Sequence, residues 1–136
     1  MQMQFHIEGG DFSGVGTASS EVKKLLKQLN ISLMIIRRIV VALYEAEVNV
    51  VAHAYSGVMN VNIEKDKIRI CIEDEGPGIE DIEQAMEEGF STASDKVREM
   101  GFGAGMGLPN IKRNTDEMKL SSVPGKGTTI EIIVNF

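Results

Sequence analysis

"ICIEDEGPGI", residues 70–79, decides how the rest of the chain is read. Ile68, Ile70 and Ile72 alternate with polar residues, the period of a strand with one buried face, and Asp74 follows them on the same parity. Its carboxylate is therefore expected on the core side at the strand's exit, with Glu73 turned to solvent. Gly76-Pro77-Gly78 come next, and glycine without a Cβ lets a flat ligand approach the backbone. One reading is a purine site in which the carboxylate accepts a hydrogen bond from an exocyclic amine. The other is an ordinary Asp-Gly turn. D-x-G-x-G alone does not choose between them.

Working outward, "VMNVNIEKDKIRICIED" (58–74) reads as a hairpin: Met59, Val61 and Ile63 alternate on its first strand, and Glu64 to Asp66 turn. Before it, "LMIIRRIVVALYEAEVNVVAHAYS" predicts one long helix, with Ser32 as N-cap and Gly57 as the C′ residue. "ASSEVKKLLKQLN" (18–30) predicts an amphipathic helix with Val22, Leu25, Leu26 and Leu29 on one side, ended by Asn30. Residues 3–8 read as a short strand and "LPNIKRN" (108–114) as a short helix. In "GKGTTIEIIVNF" (125–136), Ile130, Ile132, Val134 and Phe136 share one strand face. The order is strand, two helices, two strands, helix, loop, helix, two strands. It predicts an α/β two-layer sandwich, a mixed, mostly antiparallel sheet with helices on one face.

A chain of 136 residues with 43% hydrophobic content buries one core and is short for two, so a single domain over residues 1–136 is expected. The net charge of −6 argues against direct nucleic-acid binding, which draws on clustered Lys and Arg. Lys23, Lys24, Lys27, Arg37 and Arg38 read as solvated faces. Cys71 is the one cysteine, which leaves no intramolecular disulfide and fits a reducing cytoplasm. "MQMQFHIEGG" lacks a charged leader before an apolar core, and Arg37, Arg38, Glu45 and Glu47 interrupt the longest apolar run. A soluble, untargeted protein away from the membrane is expected.

Other polar groups fall where periodicity predicts core. Glu45, Asn49 and His53 recur at i, i+4 and i+8 and share one face of the long helix, whereas Glu47 lies about 200° from Glu45 around it. Burying such a line without partners costs several kcal/mol, so it faces either a cavity and ligand or the solvent at a helix edge. Thr128 has the inward parity of the last strand. In "GFGAGMGLP" (101–109), glycine occupies every second position before a helix. A dinucleotide fingerprint needs a strand ahead of the glycines, and "STASDKVREM" is polar and strand-poor. A P-loop needs G-x-x-x-x-G-K-[ST], which neither "GFGAGMG" nor "GKGTT" supplies. What remains is a glycine loop feeding a helix whose free N–H groups favour an anion, or a plain linker.

Taken in order, E-x-x-x-N-x-x-x-H on a helix, D-x-G-x-G after a strand, G-x-G-x-G before a helix and G-x-G-T-T before a strand resemble the N, G1, G2 and G3 boxes of the GHKL, or Bergerat-fold, ATPases. "YEAEVNVVAHAY" and the short glycine segment are most similar to the anti-sigma factor and serine-protein-kinase branch, and "GFSTASDKVREMGFGAGMGLPNIKRNTDEM" to its switch kinases. The resemblance implies binding of ATP and ADP with Mg²⁺ on Asn49, the adenine amine on Asp74, and Gly76 and Gly78 shaping the adenine pocket. His53 completes the N-box line and is counted with the nucleotide-binding residues. Gly105, Met106, Gly107 and Leu108 would offer backbone contacts to phosphates, and Thr128 would close the base side. Glu45 matches the family's base and Arg98 the group stabilising the γ-phosphate. The implied activity is a serine/threonine kinase acting on a STAS-domain antagonist, with a regulatory phosphatase as a further partner. The alternative is an ATP-gated anti-sigma factor holding a sigma factor. Whether the chain is a monomer or a homodimer stays open at this point.

Overall fold

The computed structural model describes residues 1–87 and 107–136. Five strands, β1 (Gln2–Glu8), β2 (Ser56–Ile63), β3 (Lys67–Glu75), β4 (Glu117–Val123) and β5 (Gly127–Asn135), form a sheet in the order β1-β2-β3-β5-β4. All four pairings are antiparallel, so the sheet expected to be mixed but mostly antiparallel is antiparallel throughout among the described residues. Hairpin connections explain this for β2–β3 and β4–β5, whose turns are too short for a crossover. The helices are α1 (Thr17–Gln28), α2 (Leu33–His53), α3 (Ile82–Ala85) and α4 (Gly107–Arg113). Among them, no helix is long and apolar enough to cross a membrane.

The register stacks inward residues into rungs. Met3, Val61, Ile70, Ile132 and Met118 make one, and Phe5, Met59, Ile72, Ile130 and Leu120 the next. Against this apolar face pack Val22 and Leu26 of α1, Ile36, Ile39, Leu43, Ala46 and Val50 of α2, and Leu108 and Ile111 of α4. Each fully buried aliphatic side chain contributes roughly 1.5–3 kcal/mol. Over the opposite face runs a shallow groove of about 480 Å³ past Asn60, Cys71 and Glu131, which holds none of the predicted site residues.

Local chemistry sets the helix ends. Asn30 takes a left-handed conformation, φ 58°, while its N–H donates to Lys27 O and that of Ile31 to Leu26 O. That double bond is a Schellman ending, and Asn tolerates the position better than most residues. Ser32 is the N-cap of α2 by position, although its side chain makes no capping bond. Gly57 is not the C′ residue of α2. The helix stops at His53, Ala54 is extended, and Tyr55 N–H already donates to Glu75 O, so the chain enters the sheet at once. Gly57 is a strand residue: a Cβ there would lie 3.0 Å from Val50 Cγ1 and 3.4 Å from Asp74 Cβ. The glycine is required by close packing, not by helix termination.

Candidate active site

One rung above the apolar ones, the inner face changes character. Ile7 pairs with Gly57, Gly57 with Asp74, and Thr128 with Ser122. Asp74 and Thr128 are joined by a 3.0 Å bond from Thr128 N–H to Asp74 Oδ1. Hydroxyl and carboxylate thus replace isoleucine at the sheet's end, where β3 and β5 part. Asp74 is half-buried, and the resulting desolvation holds its carboxyl above the ordinary value, partly offset by the Thr128 N–H.

The segment after β3 is tied to the β4–β5 turn. Gly76 N–H donates to Lys126 O at 3.0 Å, and Gly125 N–H to Pro77 O at 2.7 Å. Gly76 is buried against the end of α2, where a Cβ would lie 2.9 Å from Ala54 Cα. Gly78 has φ 72° and would place a Cβ 2.5 Å from Val123 O, so any side chain there meets both strain and a backbone clash.

On α2, Glu45, Asn49 and His53 are all half-buried along one face. Glu45 meets the start of α4: a Cβ on Gly107 would lie 3.3 Å from its Oε2, and Asn110 hydrogen-bonds its side chain. Burial raises the Glu45 carboxyl above the usual glutamate value, and the Asn110 bond pulls it partly back. Burial also lowers the His53 imidazole, favouring its neutral form. Leu108 buries its side chain in the core and anchors the first turn of α4. Glu45 and Gly107 thus meet on one side of the α2 face, with Leu108 next to them in the core, and Asp74, Gly76, Gly78 and Thr128 gather at the sheet's end. Asn49 lies one turn from Glu45 and one from His53. Arg98, Gly105 and Met106 lie outside the described residues.

Three contributors escape sequence reasoning. Asn110 and Ser122 are the neighbours of Glu45 and Thr128 and become visible only with the register and helix packing. Glu47 is 2% exposed on an apolar helix, and that misplaced charge is its signal. Its carboxylate accepts from Gly16 N–H at 2.9 Å and Ser19 N–H at 2.8 Å, so it caps α1 from the helix face turned away from Glu45.

Comparison with known proteins shows the family. Residues 34–136 match the family described as histidine kinase-, DNA gyrase B-, and HSP90-like ATPase. The serine/threonine-protein kinase RsbT of Bacillus subtilis is 36% identical over 115 residues, covering 82% of this chain and 80% of that one. An anti-sigma F factor of Caldanaerobacter subterraneus is 36% identical over 120 residues, covering 85% and 80%. Among solved structures, the SiaB–SiaC complex from Pseudomonas aeruginosa contains a chain matching 98% of this one with a TM-score of 0.59, and at 11% identity it supports the fold alone. With nearly all of α2, the Asp74-bearing end of β3 and the start of α4 inside the matched residues, the chain belongs to the histidine kinase-, DNA gyrase B- and HSP90-like ATPase family, with serine/threonine kinases and anti-sigma F factors among its relatives.

Proposed function

We propose that this chain is an ATP-dependent serine/threonine protein kinase of a cytoplasmic partner-switching pathway, phosphorylating a STAS-domain antagonist of an anti-sigma factor. The adenine amine donates to Asp74, whose Oδ1 also accepts from Thr128 N–H. Gly76 and Gly78 shape the pocket wall, Thr128 closes it, and His53 stays neutral beside it. Backbone amides of Gly105, Met106, Gly107 and Leu108 hold the phosphates, with Arg98 toward the γ-phosphate. The donor set suits Mg²⁺, which takes one or two protein oxygens and fills its shell with phosphate oxygens and water. Asn49 offers a neutral amide oxygen on the face it shares with Glu45. When bound, the ion neutralises phosphate charge.

Glu45 orients the partner's serine and takes its proton while the serine oxygen bonds to phosphorus and the bond to ADP breaks. Phosphoryl transfer asks little more of a protein than positioning and charge stabilisation. The observation that supports this most is Glu45 itself, a half-buried carboxylate held against the first residue of α4. A kinase relative at 36% identity supports the same reading. Affinity capture with Mg-ATP or Mg-ADP, followed by mass spectrometry of retained phosphoserines, tests it. A serine-phosphorylated STAS protein recovered without a sigma factor is the expected result, and acid-labile phosphohistidine would overturn it.

The anti-sigma F factor relatives, also 36% identical, favour a second reading as an ATP-gated anti-sigma factor. Under that reading a sigma factor is retained preferentially with ATP.

A further inference from the structure

Ser122 on β4 carries none of the roles proposed above, yet among the described residues its hydroxyl makes three polar contacts at the site. It accepts from Ile79 N–H at 2.7 Å, lies 2.9 Å from Gly127 O, and lies 3.0 Å from Thr128 Oγ1. A serine hydroxyl carries one proton and two lone pairs. If that proton went to Thr128, the Ser122 oxygen and the Gly127 carbonyl would face each other at 2.9 Å with no hydrogen between them. If it goes to Gly127 O, Thr128 donates to Ser122 and all three contacts are satisfied at once. Thr128 has then spent its only proton, and its remaining lone pairs are what it presents to the site.

From this arrangement we propose that Ser122 is a positioning residue for base specificity: it fixes Thr128 as an acceptor beside Asp74, so that the pocket admits a purine with a 6-amine and repels one with a 6-keto group. The inference rests on the adenine reading of Asp74. Acceptors on two residues tied together by the Thr128 N–H bond to Asp74 Oδ1 match the two protons of an exocyclic amine. A keto oxygen in the same place meets only lone pairs, and unpaired polar groups in a closed pocket are what sites use to reject near-isosteres.

The experiment compares ATP with inosine triphosphate, its 6-keto analogue, by calorimetric titration of the full chain. The wild type is expected to prefer ATP. In Ser122→Ala the Thr128 proton is released to meet the keto oxygen, and the preference is expected to fall about tenfold, the worth of one hydrogen bond. Ser122→Thr keeps the hydroxyl and is expected to restore it. Combining Ser122→Ala with Thr128→Val should change the preference no further than Thr128→Val does. A wild-type ATP-to-inosine ratio in Ser122→Ala overturns the proposal. Should that variant fail to fold, an unchanged ratio in Thr128→Val overturns it instead. Asp74→Asn separates the two levels: full ATP affinity there removes the adenine reading and this inference with it. Loss of ATP binding in Asp74→Asn with an unchanged ratio in Ser122→Ala removes the role of Ser122 alone.

Discussion

Replacing Glu47 with alanine should cost this protein more stability than any other single change on α2's polar residues, while leaving the nucleotide site in place. Gly16, the N-cap of α1, has no side-chain oxygen, and Glu47 supplies the missing acceptor from the neighbouring helix. Two bonds to an ionised carboxylate contribute about 1.5–3 kcal/mol each, in line with the removal of a charged partner from buried donors. Ser19 is buried, so water cannot replace the lost acceptor there, whereas half-buried Gly16 recovers part of its loss from solvent. The expected cost is therefore toward the lower end, about 3–4 kcal/mol out of a total that for a domain is typically about 5–15. For a chain of this size that corresponds to a fall in Tm of roughly 10–15 °C. Glu47→Gln keeps one acceptor and turns an amide N–H₂ toward the other donor, so about half the cost is expected. Urea and thermal unfolding of both variants measure this, with hydrogen exchange at the first turn of α1 as the local readout. A Glu47→Ala protein within about 1 kcal/mol of wild type would show that the carboxylate is not what caps α1 and would refute the reasoning.

Glu45→Gln reverses that pattern: ATP affinity and Tm stay near wild type while phosphoryl transfer falls by at least about a hundredfold, read by phosphoserine formation in single-turnover assays. Because burial raises the Glu45 carboxyl, the ionised base fills only as pH climbs above the ordinary glutamate value of 4.5, and the acid limb of the transfer rate should lie above that value in a pH profile. Asp74→Asn should abolish ATP binding in calorimetry yet melt no lower than wild type at pH 7. A carboxyl raised by folding binds protons more readily in the native state than in the unfolded chain, so its stability contribution falls as pH rises from the ordinary aspartate value through the raised one. Asparagine removes that loss and keeps an oxygen for Thr128 N–H.

What was legible in this sequence follows from how far away each residue's partner lies along the chain. Period two placed Asp74 and Thr128 on one face of their strands, and helical phase separated Glu45 from Glu47, because both periods are properties of a few neighbouring residues. Which side chains meet across the sheet is a property of register. "LSSV" shows two serines of opposite parity, and nothing in it tells that Ser122 sits opposite Thr128 until the turn at Pro124 to Lys126 is counted. Gly57 follows the same rule. A glycine after a helical run matches a C′ residue locally, but its meaning comes from Val50 on one side and Asp74 on the other, 7 and 17 positions away. Helical phase turns Glu47 away from Glu45 but gives it no purpose, since its partners are amides 31 and 28 residues upstream. A charge at a core position is nonetheless a local signal. It says that a donor must be near, and a glycine at a helix start, with no side chain to cap itself, is the kind of place where one is found.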